Sequence, residues 1–409
     1  MTVLIALEGL ALGGCPLNAL DLARALAIRG HTVHVCAVDE DVRVSFLPHA
    51  AASGIQVTRL RRRATVRARA AQYRRLIVDL GVDVLHVFAP WLAPAAWLAT
   101  LPYPRRVALA TNWMMENEFY LPQDMPVILG TSRLRAELAN RHRAPVWLLE
   151  PPVDLAAEQP DLDSRRMFRA QWDILDTEIA VVIVSRIDRD LKAEGILHAI
   201  EAIEELDRPS LRLVIVGDGN AFEIVDQAAT ASNERLRRRS VVMTRAMSDP
   251  RPAYDAADVV LGMGGSAIRA LAHGKPLIVL GLHGFAKPYS PATAQYFEED
   301  GFFGDEAPDD AVRHLAQLVE ALGDEVDRAR LGRFGLARVQ HRYGLDTQAR
   351  ALEAMYVDAL GPANPGMVRR ARGAARIVAG EARTSVGRRF RRPRAGHPTG
   401  DDQRQGVTR

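Results

Sequence analysis

The stretch ADVVLGMGGSAIRALAHGKPLIVLG, residues 257–281, contains a buried strand, a glycine-rich turn, a helical pattern and a second buried strand in succession. This order is typical of a parallel sheet, in which a turn leads from each strand into a covering helix. Gly264 and Gly265 allow backbone N–H groups to approach a ligand closely, and Ser266 is a candidate N-cap of a helix whose positive end attracts anions. The stretch therefore predicts a phosphate site. An ordinary strand-to-helix turn without a ligand is the alternative at this point.

The same alternation of strand and helix patterns occurs in two sets of segments. Seven apolar strand patterns lie between residues 3 and 149, and five more lie between residues 179 and 280. We therefore predict an α/β fold of two Rossmann-like domains that face each other across a cleft. The predicted divisions are a first domain at 1–150, a linker at 151–178, a second domain at 179–344, an amphipathic helix at 345–360 and a basic, disordered tail at 361–409.

Composition narrows the class of protein. A chain of 409 residues with 48% hydrophobic and 25% charged residues is long enough for two soluble domains. The first strand lacks the basic lead of a signal peptide, and prolines interrupt the uncharged run at 87–104, so we expect a cytoplasmic protein without a membrane span. The two cysteines, Cys15 and Cys36, provide no disulfide framework, and we expect both to be reduced packing residues.

Arginine is concentrated in two segments of a chain whose net charge is only +3. Residues 59–75 hold eight arginines, and residues 361–409 hold twelve arginines against three acidic residues. A solvated helix face and a disordered tail are the first interpretations. Attraction of both segments to an anionic membrane surface, at the inner face of the membrane, is the alternative. Nucleic acid is not an expected partner.

Cations and glycines follow the predicted strands at their carboxyl ends. Arg186 and Lys192 come after the first strand of the second domain. A guanidinium that holds two phosphate oxygens and an ammonium that acts as a point charge suit a diphosphate. Gly13 and Gly14 come after the first strand of the first domain and are free to contact a phosphate or a sugar. Solvated surface charge and a plain tight turn are the respective alternatives.

Other motifs in the sequence carry less information. The run GDGN at 217–220 begins like a dinucleotide fingerprint, but Phe222 stands where a third glycine is needed, so a nicotinamide cofactor is not predicted. The Asp-x-Asp triplets at 39–41 and 161–163 are common by chance, and we expect no metal and no cofactor. Zinc hydrolase and serine hydrolase motifs do not occur. His86 is interpreted as a satisfied interior histidine, with a catalytic role as the alternative.

Several motifs in a fixed order resemble the retaining GT-B glycosyltransferases of glycosyltransferase family 4. The resemblance covers roughly residues 1–360 and rests on the glycine loop at 13–14, DVLHVFAP, PPVD, SRI with Lys192, LVIVGDGN and YDAADVVLGMGGSAIRALAHGKP. It implies a GT-B fold whose first domain receives the acceptor and whose second domain binds a nucleotide-diphosphate sugar. It also implies that the helix at 345–360 returns to the first domain.

The resemblance further implies where the substrates bind. Arg186 and Lys192 would bind the donor diphosphate, and the glycine loop of the first domain would close over the donor. The expected donor-binding residues are Arg186, Lys192, Gly217, Gly264, Gly265, Ser266, Arg269, Gly13 and Gly14, and the expected acceptor-side residues are Asn112, Glu116 and Glu118. No catalytic residue is identified.

The chain departs from the family at positions that would carry chemistry. The family has a Glu-x7-Glu pair where this chain has Leu261 and Arg269, and Asn112 stands where many relatives have a histidine. Arg269 cannot accept a hydrogen bond from a sugar hydroxyl, and our hypothesis is that it neutralises a phosphate instead. Retaining transfer in this family is thought to rely on the donor phosphate and on electrostatic stabilisation of an oxocarbenium-like state, so the departures need not abolish activity.

The sequence thus predicts a metal-independent hexosyltransferase that moves a sugar with retention from a nucleotide-diphosphate sugar to an unidentified acceptor. The acceptor classes considered are a cell-envelope glycan, a lipid and a small molecule. Two alternatives stay open. The missing glutamates favour a catalytically inactive sugar-nucleotide binding protein, and a nucleotide-sugar epimerase would have the same two-domain shape.

Overall fold

The computed structural model describes residues 1–42, 44–114 and 121–361, and its first half forms a parallel sheet of seven strands. The strand order is β3-β2-β1-β4-β5-β6-β7, with every pairing parallel. The strands are β1 (Thr2–Leu7), β2 (Thr32–Val38), β3 (Val57–Leu60), β4 (Val84–Val87), β5 (Val107–Asn112), β6 (Val127–Leu129) and β7 (Val146–Leu148).

Five helices cover this first sheet. They are α1 (Gly14–Ile28), α2 (Leu47–Ala52), α3 (Val66–Asp79), α4 (Ala93–Thr100) and α5 (Ser132–Ala139). In α3, the hydroxyl of Thr65 accepts a hydrogen bond from the N–H of Ala68 at the first turn. Ala70, Tyr73 and Ile77 are spaced three and four residues apart and are buried, so the arginines of the helix lie on its outer side.

The second half forms a sheet of six strands in the order β10-β9-β8-β11-β12-β13. Only β13 is antiparallel, and the sequence patterns did not predict it. The strands are β8 (Ile179–Val184), β9 (Leu211–Val216), β10 (Val241–Met243), β11 (Val259–Gly262), β12 (Leu277–Leu280) and β13 (Ala286–Pro288). The helices are α6 (Leu162–Gln171), α7 (Ala193–Leu206), α8 (Phe222–Leu236), α9 (Arg251–Ala256), α10 (Gly265–Ala272), α11 (Ala294–Asp300), α12 (Ala311–Ala321) and α13 (Glu325–Arg342).

The segment predicted as a linker, 151–178, contains α6, which packs on the second sheet. Arg169 of this helix is only 2% exposed. Its guanidinium donates hydrogen bonds to three backbone carbonyls and to Asp258, which also accepts from the N–H of Ala180 at the start of β8. The segment lacks an apolar period because buried ion pairs, and not a hydrophobic stripe alone, attach it to the second sheet.

The last described helix, α14 (Leu345–Leu360), returns to the first domain as predicted. Ala349, Leu352 and Tyr356 on its inner face are fully buried in the core that α1 also enters. Two Rossmann-like sheets and a returning C-terminal helix are therefore confirmed. Within the described ranges, no helix combines the length and the apolar character that a bilayer crossing requires.

His86 joins α14 to the first sheet. Its Nδ1 lies 2.7 Å from the hydroxyl of Tyr356, and its Nε2 lies 2.7 Å from the hydroxyl of Thr111 on β5. Burial lowers the pKa of His86 to about 3, so the imidazole is neutral. With both nitrogens hydrogen-bonded and no exposed surface, His86 is an interior histidine, as the sequence analysis favoured.

Because Tyr356 is hydrogen-bonded to His86, we expect Tyr356→Phe to lower the stability of the protein. Phenylalanine fills the same space, but it leaves Nδ1 of His86 buried without a partner, so we expect the free energy of unfolding to fall by about 1–3 kcal/mol. The loss is measured as a lower midpoint in urea. Val357→Ala on the exposed side of the same helix is the matched control and should change the free energy by no more than about 0.5 kcal/mol. Equal losses for both variants would contradict the role given to this hydrogen bond.

Candidate functional site

Lys192 lies in the loop that follows β8, at the N-terminal boundary of α7. Its ammonium group has no hydrogen-bond partner among the described residues, although it is half-buried. Burial lowers the pKa of Lys192, and the nearby Arg186 lowers it further while Asp188 raises it. A cation held partly out of water without a hydrogen-bonding partner is suited to bind an anion.

Arg186 lies in the same loop and is exposed. Its Nε is 3.5 Å from a carboxylate oxygen of Asp188, and 69% of its side chain is accessible. The N–H of Lys192 donates to the carbonyl of the same Asp188 at 3.2 Å. The two cations predicted from the sequence therefore both contact Asp188 in the loop at the carboxyl end of β8.

The glycine turn after β11 lies at the same edge of the second sheet. Gly264 has φ 57° and ψ −126°, a conformation that disfavours any side chain, and α10 begins at Gly265. The prediction that Ser266 caps this helix is wrong, because Gly264 occupies the N-cap position and no side chain caps the helix. The hydroxyl of Ser266 instead donates to the carbonyl of Met263 at 3.0 Å. The first N–H groups of α10 are left for a ligand or for water.

A cavity of about 190 Å³ lies between these loops and the first domain. Lys192, Gly264 and Gly265 line it from the second domain, together with Ile268 of α10. The other residues that line it are Trp113, Met114, Gly130, Thr131, Glu150, Pro151, Leu191, Met263, Gly301, Phe302 and Tyr343. The cavity therefore lies beyond the carboxyl ends of β8 and β11, where ligands bind in sheets of this kind.

The other residues predicted to bind the donor lie outside the lining of this cavity. Gly217 has a packing reason, because a Cβ there would lie 1.8 Å from the carbonyl oxygen of Ser185. Gly13 is the N-cap residue of α1, and Gly14 has open space where a Cβ would lie. Their roles in donor binding stay predictions.

On the acceptor side, Asn112 is fully buried at the end of β5. Its side-chain oxygen accepts a hydrogen bond from the N–H of Met114 at 3.0 Å, and Trp113 and Met114 line the cavity. Glu116 and Glu118 lie outside the described residues, as does nearly all of the basic segment at 361–409.

Arg269 is engaged in a polar cluster behind the glycine turn. Its Nε donates to Glu158 at 3.2 Å, and Glu158 also lies 2.8 Å from Nε2 of His273. Nδ1 of His273 is 2.8 Å from Asp255. Arg269 does not line the cavity, and its predicted role in donor binding stays a prediction.

Glu150 is a pocket residue that the sequence analysis did not identify. It follows β7, is 6% exposed and lines the cavity. Nε of Arg342 lies 2.9 and 2.8 Å from its two carboxylate oxygens. Burial raises the pKa of Glu150, and the contact with Arg342 opposes this change. The only local signal was a carboxylate at the end of a strand, directly before Pro151 and Pro152.

Neither cysteine lines the cavity, and the described residues contain no cluster of metal ligands. Burial raises the pKa of the thiols of Cys15 and Cys36 to about 12, as suits packing residues. In the part of the chain that the structure describes, no group of three or more His, Cys, Asp or Glu side chains is arranged to hold a metal ion.

Part of the sequence matches the model of a known protein family. Residues 178–322 match the model of the family described as "Glycosyl transferases group 1". No curated protein matches the sequence.

Solved structures share the whole architecture. A glycosyltransferase from Rickettsia africae has a TM-score of 0.70 at 15% identity, over 88% of this chain and 99% of that chain. HepE of Anabaena in complex with UDP-glucose has a TM-score of 0.68 at 15% identity, over 88% and 100%. WaaG, a glycosyltransferase involved in lipopolysaccharide biosynthesis, has a TM-score of 0.59 at 16% identity, over 86% and 99%. The predicted GT-B fold is confirmed.

We expect alanine to affect stability differently at Gly264 and Gly265, because the backbone conformations of these two adjacent glycines differ. Gly264→Ala should lower the free energy of unfolding by about 1–3 kcal/mol, because alanine is strained at φ 57°. Gly265→Ala places the same methyl group in open space within a helix, and stability should stay unchanged or rise by up to about 1 kcal/mol. Urea unfolding of both variants measures the difference. Equal effects would contradict the conformation assigned to Gly264.

We expect the contribution of His273 to the free energy of unfolding to depend on pH. Burial opposes its charged form, but the hydrogen bonds to Asp255 and Glu158 outweigh burial and raise its pKa. The stabilisation is complete below the unfolded-state pKa of about 6.5 and is lost as the pH rises through the folded-state pKa. His273→Gln should therefore lower the free energy of unfolding more at low pH than at high pH.

Urea unfolding of wild type and His273→Gln at about pH 6 and about pH 9 measures this difference. His341→Gln, at an exposed position, is the control and should show the same small effect at both pH values. A loss for His273→Gln that does not depend on pH would show that folding does not raise the pKa of this histidine.

Proposed function

We propose that this protein transfers a sugar from a nucleoside-diphosphate sugar to an acceptor, with retention of configuration at the anomeric carbon. The observation that carries the proposal is the unpaired ammonium of Lys192, which lines a cavity together with the backbone of Gly264 and Gly265. Both elements lie within residues 178–322, which match the group 1 glycosyltransferase family.

The chemistry of the site suits a leaving diphosphate. Negative charge develops on the diphosphate as its bond to the sugar breaks, and cations already in position stabilise that charge without reorganisation. Lys192 would contact the diphosphate inside the cavity, and the exposed Arg186 would close on it from the rim. The uncapped N-terminus of α10 adds backbone donors at the same edge.

No side chain is assigned as a general base. The oxygen atoms of the donor phosphate would receive the proton of the attacking hydroxyl, so orientation and charge stabilisation carry the catalysis. Gly13 and Gly14 would contact the donor from the first domain, and Asn112, with Glu116 and Glu118, would face the acceptor. We expect no requirement for a metal ion.

The acceptor and the sugar are left open, and two features guide the choice of probes. HepE was solved with UDP-glucose, so this nucleotide sugar is the first donor to test. The arginines on the outer side of α3 form a basic surface that we propose rests on anionic lipid, which suits a lipid or cell-envelope acceptor.

A binding protein without catalytic activity is the second candidate. It is favoured by Leu261, which is 1% exposed in the core of β11, and by Arg269, which is paired with Glu158. Neither position supplies the carboxylate that the family uses. A panel of nucleotide sugars, tested for binding, hydrolysis and transfer, separates the candidates. Turnover supports the proposal, binding without turnover supports the second candidate, and conversion of the donor without an acceptor supports an epimerase.

Lys192→Ala should weaken the affinity for a nucleoside diphosphate at least about tenfold, because a charge-assisted hydrogen bond contributes about 1.5–3 kcal/mol. Lys287→Ala is the matched control: it removes the same charge from the same domain at a site where the ammonium faces Glu306 at 3.4 Å. Isothermal titration of both variants with UDP and UDP-glucose measures the effect. Equal affinities for the two variants would overturn the assignment of Lys192.

A further inference from the structure

The cavity has opposite charges on its two walls. Lys192 lies on the wall formed by the second domain, and Glu150 lies on the wall formed by the first domain. Among the described residues that line the cavity, Glu150 is the only acidic one. If a diphosphate binds at Lys192, the group attached to that diphosphate can extend toward Glu150.

The carboxylate of Glu150 is held in place and keeps acceptor capacity. Arg342 contacts both of its oxygen atoms, and Nη1 of Arg342 also lies 3.2 Å from Glu298. Arg342 is thereby fixed between two buried carboxylates. An ionised carboxylate offers about four acceptor positions, so Glu150, which contacts one guanidinium nitrogen of Arg342 and the hydroxyl of Tyr343, can accept further hydrogen bonds from hydroxyl groups.

The rest of the lining near Glu150 is apolar or aromatic. Trp113, Phe302 and Tyr343 line the same cavity; Trp113 is partly exposed, whereas Phe302 and Tyr343 are buried. A pyranose ring presents C–H groups on its faces and hydroxyl groups at its rim, and binding sites for such molecules combine apolar surface with a few fixed polar groups. One carboxylate among aromatic side chains meets this description.

We propose that Glu150 binds hydroxyl groups of the donor sugar and determines which sugar the cavity accepts, with Arg342 as its positioning residue. This inference rests on the proposed function. It supplies, from the first domain, a carboxylate that Leu261 and Arg269 of the second domain do not provide. Hydrogen bonds from hydroxyls to this charged group should raise the affinity for a nucleotide sugar above that for the nucleotide alone.

The test compares the affinity for a nucleotide with the affinity for the matching nucleotide sugar. Isothermal titration measures both for three pairs: UDP and UDP-glucose, GDP and GDP-mannose, and ADP and ADP-glucose. Glu150→Gln keeps the size of the side chain but removes its charge. For whichever nucleotide sugar the wild type binds, we expect Glu150→Gln to lower the affinity about tenfold. The affinity for the matching nucleotide should change less than about twofold. Glu150→Ala should show a larger loss with the same selectivity.

Glu178→Gln is the matched control. Glu178 is a buried carboxylate that pairs with Arg212, and it neither lines the cavity nor contacts Arg342. Its affinities for nucleotide and nucleotide sugar should both stay within about twofold of wild type. Urea unfolding of each variant confirms that the compared proteins are folded.

The outcomes separate this inference from the function on which it rests. If wild type binds nucleotide and nucleotide sugar but Glu150→Gln weakens both equally or neither, Glu150 does not contact the sugar and the proposed function stands. The same conclusion follows if Glu178→Gln reproduces the selective loss. If wild type binds none of the probes, both the inference and the proposed function are overturned.

Discussion

The two connections between the domains are hydrogen-bonded to each other, and the cavity depends on this junction. The N–H of Val153, in the connection from the first domain to the second, donates to the carbonyl of Tyr343 at 2.8 Å. The N–H of Leu345, where the chain returns, donates to the carbonyl of Val153 at 2.9 Å. Glu150 and Arg342 form an ion pair beside these bonds. The walls of the cavity therefore meet where the backbone is held by both chain crossings, and α14 secures the return through its buried face.

Charged groups in the second half of the chain differ in whether the protein itself provides their hydrogen-bond partners. Arg169, Arg269 and Arg342 are all bound to carboxylates or carbonyls of their own chain. Lys192 is half-buried and has no such partner within the described residues. Since desolvating a charge without a partner is costly, an unpaired ammonium in a cleft indicates a function more strongly than a paired one. This contrast distinguishes Lys192 from Arg169, Arg269 and Arg342.

The sequence predicted those features that depend on local pattern. Apolar strand runs located most of the two sheets, and the glycines after β11 together with Lys192 after β8 located one wall of the cavity. The short antiparallel β13 and the N-cap of α10 were missed, since neighbouring residues do not determine edge pairing or whether Ser266 bonds backward. Glu150 was missed because its partner, Arg342, is 192 residues away in the chain. A side chain whose role depends on a distant contact has no local signature.

Leu261 and Arg269, where the resemblance implies carboxylates, occupy their positions for reasons visible in the packing. Leu261 points into the core of the second sheet, where a carboxylate would be buried without a partner. Arg269 neutralises Glu158, so an acidic residue at 269 would place two like charges together beside His273. The residues at these two positions therefore suit their surroundings. The absence of carboxylates there does not by itself indicate lost activity. A carboxylate need only reach the same cavity to bind the same hydroxyls, and a wall of the other domain, held by the junction at Val153, is an equally rigid place for it.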